Sequence, residues 1–591
     1  MEDALQEMGA SLDAGKGLIW RRAGFAALVL GTCAGLIGLM AATLFPGGVD
    51  LVGLLMIVCF AITLPWVAIG FWNALIGLAL MSFVKDPEGF VSPFLRRLTG
   101  DEPITSRTAL MICVRNEDTR RLSRNLTWML DGLVATGQAG GFHLYILSDS
   151  NKPEVFAEEE AVAASLEERC GKSLAVTYRR RSESVGFKAG NIRDFLERWA
   201  DRHDFGIVFD ADSVMTPKAM LRLVRVMQRE PQIGILQTLV TGLPSASPFA
   251  RIFQFGMRLG MRSYTLGSAS WQGDCGPYWG HNAILRLKPF TDHCHLPVLP
   301  GKPPLGGHVL SHDQLEAVLM RRAGYQVRVL PDEDGSWEEN PPTMPEFIRR
   351  DLRWCQGNMQ YWKFLGTPKL KPVSRCQLGL AIAMYLGSPA WLGFILLGMV
   401  RDAPYRADLG IILFFLSMVM VFAPKIATLI DVLLRRDLRR AFGGAPRIVA
   451  GALLETAFSM LLSPISAVAV SLMILGLPFG RTVGWNAQRR DAQSVPFSMA
   501  MQKFWPQTLF GAALTAWFVV MAPGALWIAS PFLGGLLGAI PLAMLTAHPL
   551  VGRALMAVGL CRIPEETPAR ATTEELDEVS PFALPAAGFA E

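Results

Sequence analysis

The chain has 591 residues, 51% of them hydrophobic, with a mean hydropathy of +0.31 and a formal net charge of +5. The apolar residues are unevenly spread: 24–83 and 377–547 hold long runs nearly free of charge, whereas 85–375 carries most of the acids and many of the bases. That distribution excludes an ordinary soluble enzyme and points to a membrane protein with one large soluble block, and the modest charge argues against nucleic acid as a partner. Nine scattered cysteines with no Cys-x-x-Cys read as free thiols in a reducing compartment.

In chain order, residues 1–23 are polar and lack the apolar core and cleavage site of a signal peptide, which predicts a cytoplasmic N-terminal segment. Two membrane helices fill 24–83, and Lys16, Arg21 and Arg22 before the first place the N-terminus in the cytoplasm. Two crossings return the chain to that side, so the block 84–375 is expected to be cytoplasmic. Two further spans fill 376–434. Residues 435–508 begin with the basic run Arg435-Arg-Asp-Leu-Arg-Arg440. The apolar stretch 448–479 has basic flanks at both ends, which favours interfacial or re-entrant helices over a crossing; a tight two-span hairpin is the alternative. Two last spans fill 509–560, for six or eight crossings in all. The Pro/Glu/Thr-rich tail 561–591 is predicted to be disordered.

The soluble block alternates strands (108–114, 142–147, 175–178, 206–209) with helices (122–133, 153–170, 190–200), a βαβ order that predicts a mostly parallel, doubly wound sheet. Four apolar residues run into Asp210-Ala-Asp212, and Asp149 closes another strand. Such strand ends share one edge of a parallel sheet, where open α/β sheets bind ligands. Two hard oxygen ligands one residue apart suit Mg²⁺ or Mn²⁺ and a bound diphosphate. Gly186-Phe-Lys-Ala-Gly-Asn191 adds Lys188 for a phosphate and Asn191 at a helix start, or is an ordinary capped loop. Glu117, just after the first strand, is a candidate for a ribose or base contact. The loop from Trp271 through Trp279 and His281 offers aromatic faces for a sugar, or packed tryptophans. Zinc at Asp292-His-Cys-His295 is conceivable, but the spacing matches no standard ligand pattern. Asp313 falls in the first turn of an apolar-periodic helix, as a helix-terminal acid or a general base. Arg350, Arg353 and Trp354 lie on an amphipathic stretch, ready for a diphosphate or for the membrane surface.

Taken in order, Asn116-Glu117, Asp149, Asp210-Ala-Asp212, Ser311-His-Asp313 and Arg353-Trp354, flanked by membrane spans, resemble the processive family 2 glycosyltransferases such as cellulose and hyaluronan synthases. Ser-His-Asp313 followed by Met320-Arg-Arg-Ala-Gly-Tyr325, and Arg353-Trp-Cys-Gln-Gly-Asn358, look like the group within that family that builds the β-1,2-linked backbone of osmoregulated periplasmic glucans from UDP-glucose in Gram-negative bacteria. The resemblance implies an α-helical transmembrane bundle in the bacterial inner membrane, carrying a cytoplasmic α/β GT-A (Rossmann-like) domain. It implies a UDP-glucose donor, a growing glucan acceptor threaded outward through the membrane helices, and contacts with membrane lipids. An acyl carrier protein and a periplasmic glucan-processing protein are possible partners. By position, Asp149 would contact the uracil or UDP with Glu117 and Lys188 nearby, Asp210 would help hold UDP, and Asp212 would ligate Mg²⁺ or Mn²⁺. Asp313 would be the catalytic base, Arg353 would engage the diphosphate, and Trp354 would stack on the acceptor glucose. Arg350 stands where the family has glutamine, and Gly484-Trp485-Asn-Ala-Gln-Arg-Arg490 stands in place of a gating loop but differs in sequence. The alternatives are another processive β-glycan synthase, a transferase to a lipid carrier, and a non-enzymatic regulatory transporter.

Overall fold

Thr-Ala-Leu-Met-Ile-Cys-Val has no polar alternation, so as a strand it must be covered on both faces. In the computed structural model, which describes residues 2–484, 493–566 and 581–582, it is β1 (Thr108–Val114), buried at six of its seven positions. The other strands are β2 (Phe142–Ser148), β3 (Ala175–Arg180), β4 (Phe205–Asp210), β5 (Val214–Met215), β6 (Ile233–Thr238), β7 (Thr241–Gly242), β8 (Ala283–Arg286), β9 (Gln326–Leu330) and β10 (Ser336–Glu338). Seven form one sheet in the order β3-β2-β1-β4-β8-β6-β9. It is parallel except for β8, which runs antiparallel to both β4 and β6. The chain leaves β1 toward β2 and β3 on one side and returns to β4 on the other, so the topological switch lies between β1 and β4. A small second sheet, β5-β10-β7, stands beside the C-terminal end of β4.

The helices of the block bury an apolar stripe against the sheet. In Thr119–Ala135, Leu122, Leu126, Met129, Leu130 and Leu133 recur at helical spacing and are buried, and the Asp118 carboxylate accepts the Arg121 N–H at 2.7 Å as N-cap.

Six helices among the described residues are long and apolar enough to cross a membrane: Gly17–Leu44, Leu51–Phe83, Pro372–Val400, Ala407–Leu434, Ala445–Phe479 and Phe497–Met521. The chain is a multi-pass membrane protein. Its first two inter-helix turns are tied together, since Arg401 donates to the Asp50 carboxylate at 2.7 Å and to Leu44 O. The stretch 448–479 does not divide into several short helices. It is one continuous helix, because between Arg447 and Arg481 the only ionisable side chain is Glu455, which Lys425 holds at 2.6 Å and Ser459 also contacts at 2.6 Å. Both its ends lie against the soluble block: Gly451 packs on Phe255, and the Val483 N–H donates to Gln356 at 2.8 Å. In place of the second of the two spans expected within 509–560, the structure has a pair, Pro523–Leu537 and Ala539–Leu545, bent by 65°.

Block and membrane helices meet along Pro248–Gln272. A Cβ on Gly77 would sit 1.9 Å from Ser263 O, and one on Gly267 would sit 1.9 Å from Asn73 O, so the two backbones touch where glycine permits it. Trp271 belongs to this seam: its indole N–H donates to Asn73 Oδ1 at 2.9 Å and its ring stacks on Phe25 at 4.4 Å. The sugar-stacking expectation for Trp271 is therefore corrected, because both the face and the polar edge of the ring are taken by membrane helices.

The tail expectation is corrected in part. Pro564–Glu566 forms a 3₁₀ turn, with Glu565 on Arg258 at 2.8 Å and Glu566 on Arg251 at 2.7 Å. The two arginines are 5% and 1% exposed, and a buried guanidinium requires an acid, which the tail supplies. Phe582 sets its edge against Trp337 at 4.9 Å and Trp128 at 5.6 Å.

Candidate active site

The C-terminal ends of β1 and β4 open into a cleft of about 510 Å³, in the range that holds a nucleotide-sugar-sized ligand. Glu117, Asp149, Lys188, Asn191, Asp210, Asp212, Trp279, His281, Asp313, Arg350, Arg353 and Trp354 all line it. Of the sequence-derived candidates, Trp271 lies away in the seam, and Trp485 falls outside the described residues.

Asp210 and Asp212 sit on a tight turn in which the Asp210 N–H donates to Ser213 Oγ at 3.0 Å. Asp212 is 2% exposed and accepts the backbone N–H of Glu339 at 3.2 Å. Lys188 reaches across to the Asp210 carboxylate and donates to Gly280 O at 2.7 Å. Burial works against its charge, but the Asp210 carboxylate outweighs burial and raises the lysine pKa, so it stays a cation. Gly280 has φ +83°, and a Cβ there would meet Asp313 Cβ at 3.3 Å. Lys188 and Gly280 thus join the Asp210 side of the cleft to the Asp313 side.

Asp313 is the first residue of the helix Asp313–Arg322. Behind it, His312 Nδ1 lies 2.8 Å from Glu316 Oε2, with both side chains buried, and the Glu316 carboxylate raises the His312 pKa against the effect of burial. Tyr361 donates to Ser311 O at 2.8 Å and closes the turn from the other side. The helix Met344–Met359 brings Arg350, Arg353 and Trp354 to the opposite wall, with the Arg350 guanidinium 4.8 Å over the Trp354 ring. On the same helix, burial pushes Asp351 up to about 6, and Tyr385 donates to it at 3.2 Å.

Three partners had no signal in the sequence. Arg181 grips Asp149 with both prongs, at 2.7 and 2.6 Å, and ties that strand end to Val185 O and Phe187 O. His281 faces Glu338 at 3.4 Å, and Tyr385 extends the wall onto the helix Pro372–Val400. Asn191 braces the sheet: its Nδ2 donates to Leu147 O at 2.8 Å, and its oxygen accepts from Arg179 at 2.7 Å. The zinc idea is not supported: Cys294 Sγ donates to Glu316 O, and among the described residues no group of three His, Cys, Asp or Glu is placed to hold a metal.

The cleft belongs to an α/β domain built against membrane helices, and the sequence comparisons give the class of that protein: a glycosyltransferase. Residues 207–542 match the family described as "Glycosyl transferase family group 2", and residues 106–260 match "Glycosyltransferase like family 2". The glucans biosynthesis glucosyltransferase H of Xylella fastidiosa (strain 9a5c) is 35% identical over 549 residues, 89% of this chain and 85% of that protein. The protein of the same name from Pseudomonas aeruginosa (strain UCBPP-PA14) is 35% identical over 542 residues, 87% of this chain and 62% of that one. Among solved structures, a mannosyltransferase from Pyrobaculum calidifontis in complex with GDP-Man and Mn²⁺ aligns with 61% of this chain and 98% of its own, at 13% identity and a TM-score of 0.38. The chain belongs to the glucans biosynthesis glucosyltransferase H family of group 2 glycosyltransferases.

Proposed function

We propose that this cleft transfers glucosyl units from UDP-glucose onto the growing end of a β-1,2-linked glucan, with inversion at the anomeric carbon, from the cytoplasmic side of a bacterial inner membrane. The observation that carries the reading is that the strand-end pair Asp210/Asp212 and the helix-start Asp313 line one cleft, joined through Lys188 and Gly280. An acceptor hydroxyl attacks the anomeric carbon on the face away from UDP. Its proton passes to Asp313, and the bond to the β-phosphate oxygen breaks with its electron pair on UDP. Asp149, held by Arg181, and Glu117 take the uridine, while Lys188 and Arg353 face the diphosphate. Trp354, kept in place by Arg350, offers its face to the acceptor glucose.

Asp212 lines the cleft beside Asp210, and carboxylate oxygens there are hard ligands of the kind Mg²⁺ or Mn²⁺ takes. A divalent ion there would neutralise charge on the departing UDP. The product would leave past Tyr385, between the membrane helices. The test is to incubate purified protein in detergent with radiolabelled UDP-glucose and Mn²⁺ or Mg²⁺, follow UDP release, and determine the product linkage. Asp313→Asn should lower turnover by roughly 10²–10⁴-fold while sparing UDP binding. No UDP release with UDP-glucose, or near-wild-type turnover in Asp313→Asn, overturns the reading.

A further inference from the structure

We infer that the C-terminal segment is a clamp on the donor site, with Glu565 as a positioning residue that acts on Asp212 through β10. The inference rests on the reading of Asp212 as the donor-side carboxylate.

Glu565 is buried and accepts two hydrogen bonds on one oxygen, from Arg258 Nη2 at 2.8 Å and from the Trp337 indole N–H at 3.2 Å. Trp337 is the middle residue of β10, and β10 is the central strand of the small sheet. In register, Trp337 faces Val214 of β5, two residues beyond Asp212. Two residues after Trp337, the Glu339 N–H is the donor to Asp212 Oδ2. Between them, Glu338 lines the cleft and faces His281. Holding the Trp337 ring therefore fixes both chain segments that border Asp212. The block anchors the same strand from the other side, as Asn282 Nδ2 donates to Ser336 Oγ at 2.8 Å and to Trp337 O at 3.2 Å. The indole edge is left for the tail, and the ring also receives Phe582 at 4.9 Å. A tail that only anchored the chain end would need no contact with this strand.

The neighbouring pair supplies the control. Glu566 is bound to Arg251 on the same helix, in a similarly buried setting, but among the described residues it makes no hydrogen bond or ion pair with β10. Trp337→Phe removes the indole N–H together with part of the buried ring and leaves every ion pair intact, so it reports on the clamp even if Glu565→Gln folds poorly.

The experiment compares Glu565→Gln, Trp337→Phe and Glu566→Gln in the full-length protein by two readouts. The first is the Kd of UDP with Mn²⁺ by calorimetry, beside KM and kcat for UDP-glucose. The second is amide hydrogen exchange across 336–340, which does not depend on any ligand. Glu565→Gln and Trp337→Phe should weaken UDP binding roughly three- to tenfold, the loss expected when one ordinary hydrogen bond is weakened, with KM rising in step and kcat at saturation held within about twofold. Both should speed exchange in 336–340, and Glu566→Gln should do neither. Unchanged exchange in Glu565→Gln and Trp337→Phe, or equal effects from Glu566→Gln, overturns the clamp. A wild-type protein that binds no UDP, yet shows the exchange pattern, overturns the proposed function and leaves the clamp on β10 standing.

Discussion

Replacing Lys188 with methionine tests the junction at the centre of the cleft. Methionine keeps most of the side-chain length and apolar packing, and removes the charge and its donors. Two contacts are lost. The one to Asp210 has a partly open partner, because that carboxylate is 36% exposed and water can take over, so its loss costs no more than about 1 kcal/mol. The one to Gly280 O, at 2.7 Å, is to a buried carbonyl, and losing a charged donor there costs roughly 1.5–3 kcal/mol. The expected loss of stability is thus about 1.5–4 kcal/mol, read as a lowered melting temperature in detergent. The effect on turnover should be larger. Gly280 packs on Asp313, and if Asp313 is the base proposed above, its displacement by about 1 Å costs on the order of 10²-fold. The assay is UDP release from UDP-glucose beside thermal unfolding of the same preparation. A Lys188→Met protein that keeps wild-type kcat/KM would refute the claim that Lys188 holds the loop against Asp313. So would a variant that loses activity only in proportion to the fraction unfolded.

Other expectations follow from single contacts. Burial raises Asp351 from 3.8 to about 6, so the folded protein holds this proton more tightly than the unfolded chain does. Its contribution is complete below about pH 4 and is lost as pH rises through about 6, a fall of at most about 3 kcal/mol. Asp351→Asn should flatten the stability profile across pH 4–6.5, measured by thermal unfolding; an unchanged profile assigns that pH dependence elsewhere. Stripping divalent cations with EDTA should abolish UDP release, and Mn²⁺ or Mg²⁺ should restore it; full activity in EDTA would remove the metal from the Asp212 site. Gly267→Ala places a methyl against Asn73 O and should destabilise the protein by about 1–3 kcal/mol, seen as a lower melting temperature, with KM for UDP-glucose little changed in the folded fraction.

What could be read from the sequence depended on how much of each feature was local. β1, β2 and β4 are apolar runs ended by polar residues, and the reading placed each of them within a residue or two of where it forms. Their order implied a shared edge, which brought Asp149, Asp210 and Asp212 together. β8 was missed because Ala-Ile-Leu-Arg is four residues inside a glycine- and aromatic-rich loop, too short to show a period, and its antiparallel insertion depends on neighbours far away in sequence. β5 and β7 have two residues each, so the small sheet that borders Asp212 carried no pattern at all. Arg181 sits in a run of four arginines and serines that reads as a solvated loop, and only the fold turns it onto Asp149. Trp271 and Trp279 look alike in sequence, and one faces the cleft while the other faces a membrane helix, since an eight-residue interval spans the end of a helix and the start of a loop. The tail was read from composition, which says nothing about two glutamates that meet buried arginines some 300 residues earlier.

The glycine seam between Pro248–Gln272 and Leu51–Phe83 has a mechanical consequence. Two backbones in van der Waals contact, with Arg262 bound to Asp431 at 3.2 Å beside them, cannot slide by the length of a sugar without leaving carbonyls and glycines misaligned. The helix Pro248–Gln272 is therefore locked against the membrane helix Leu51–Phe83. On the proposed function, what advances between successive additions would be a small part working against that seam: a side chain such as Trp354, a loop at the cleft mouth, or the glucan itself.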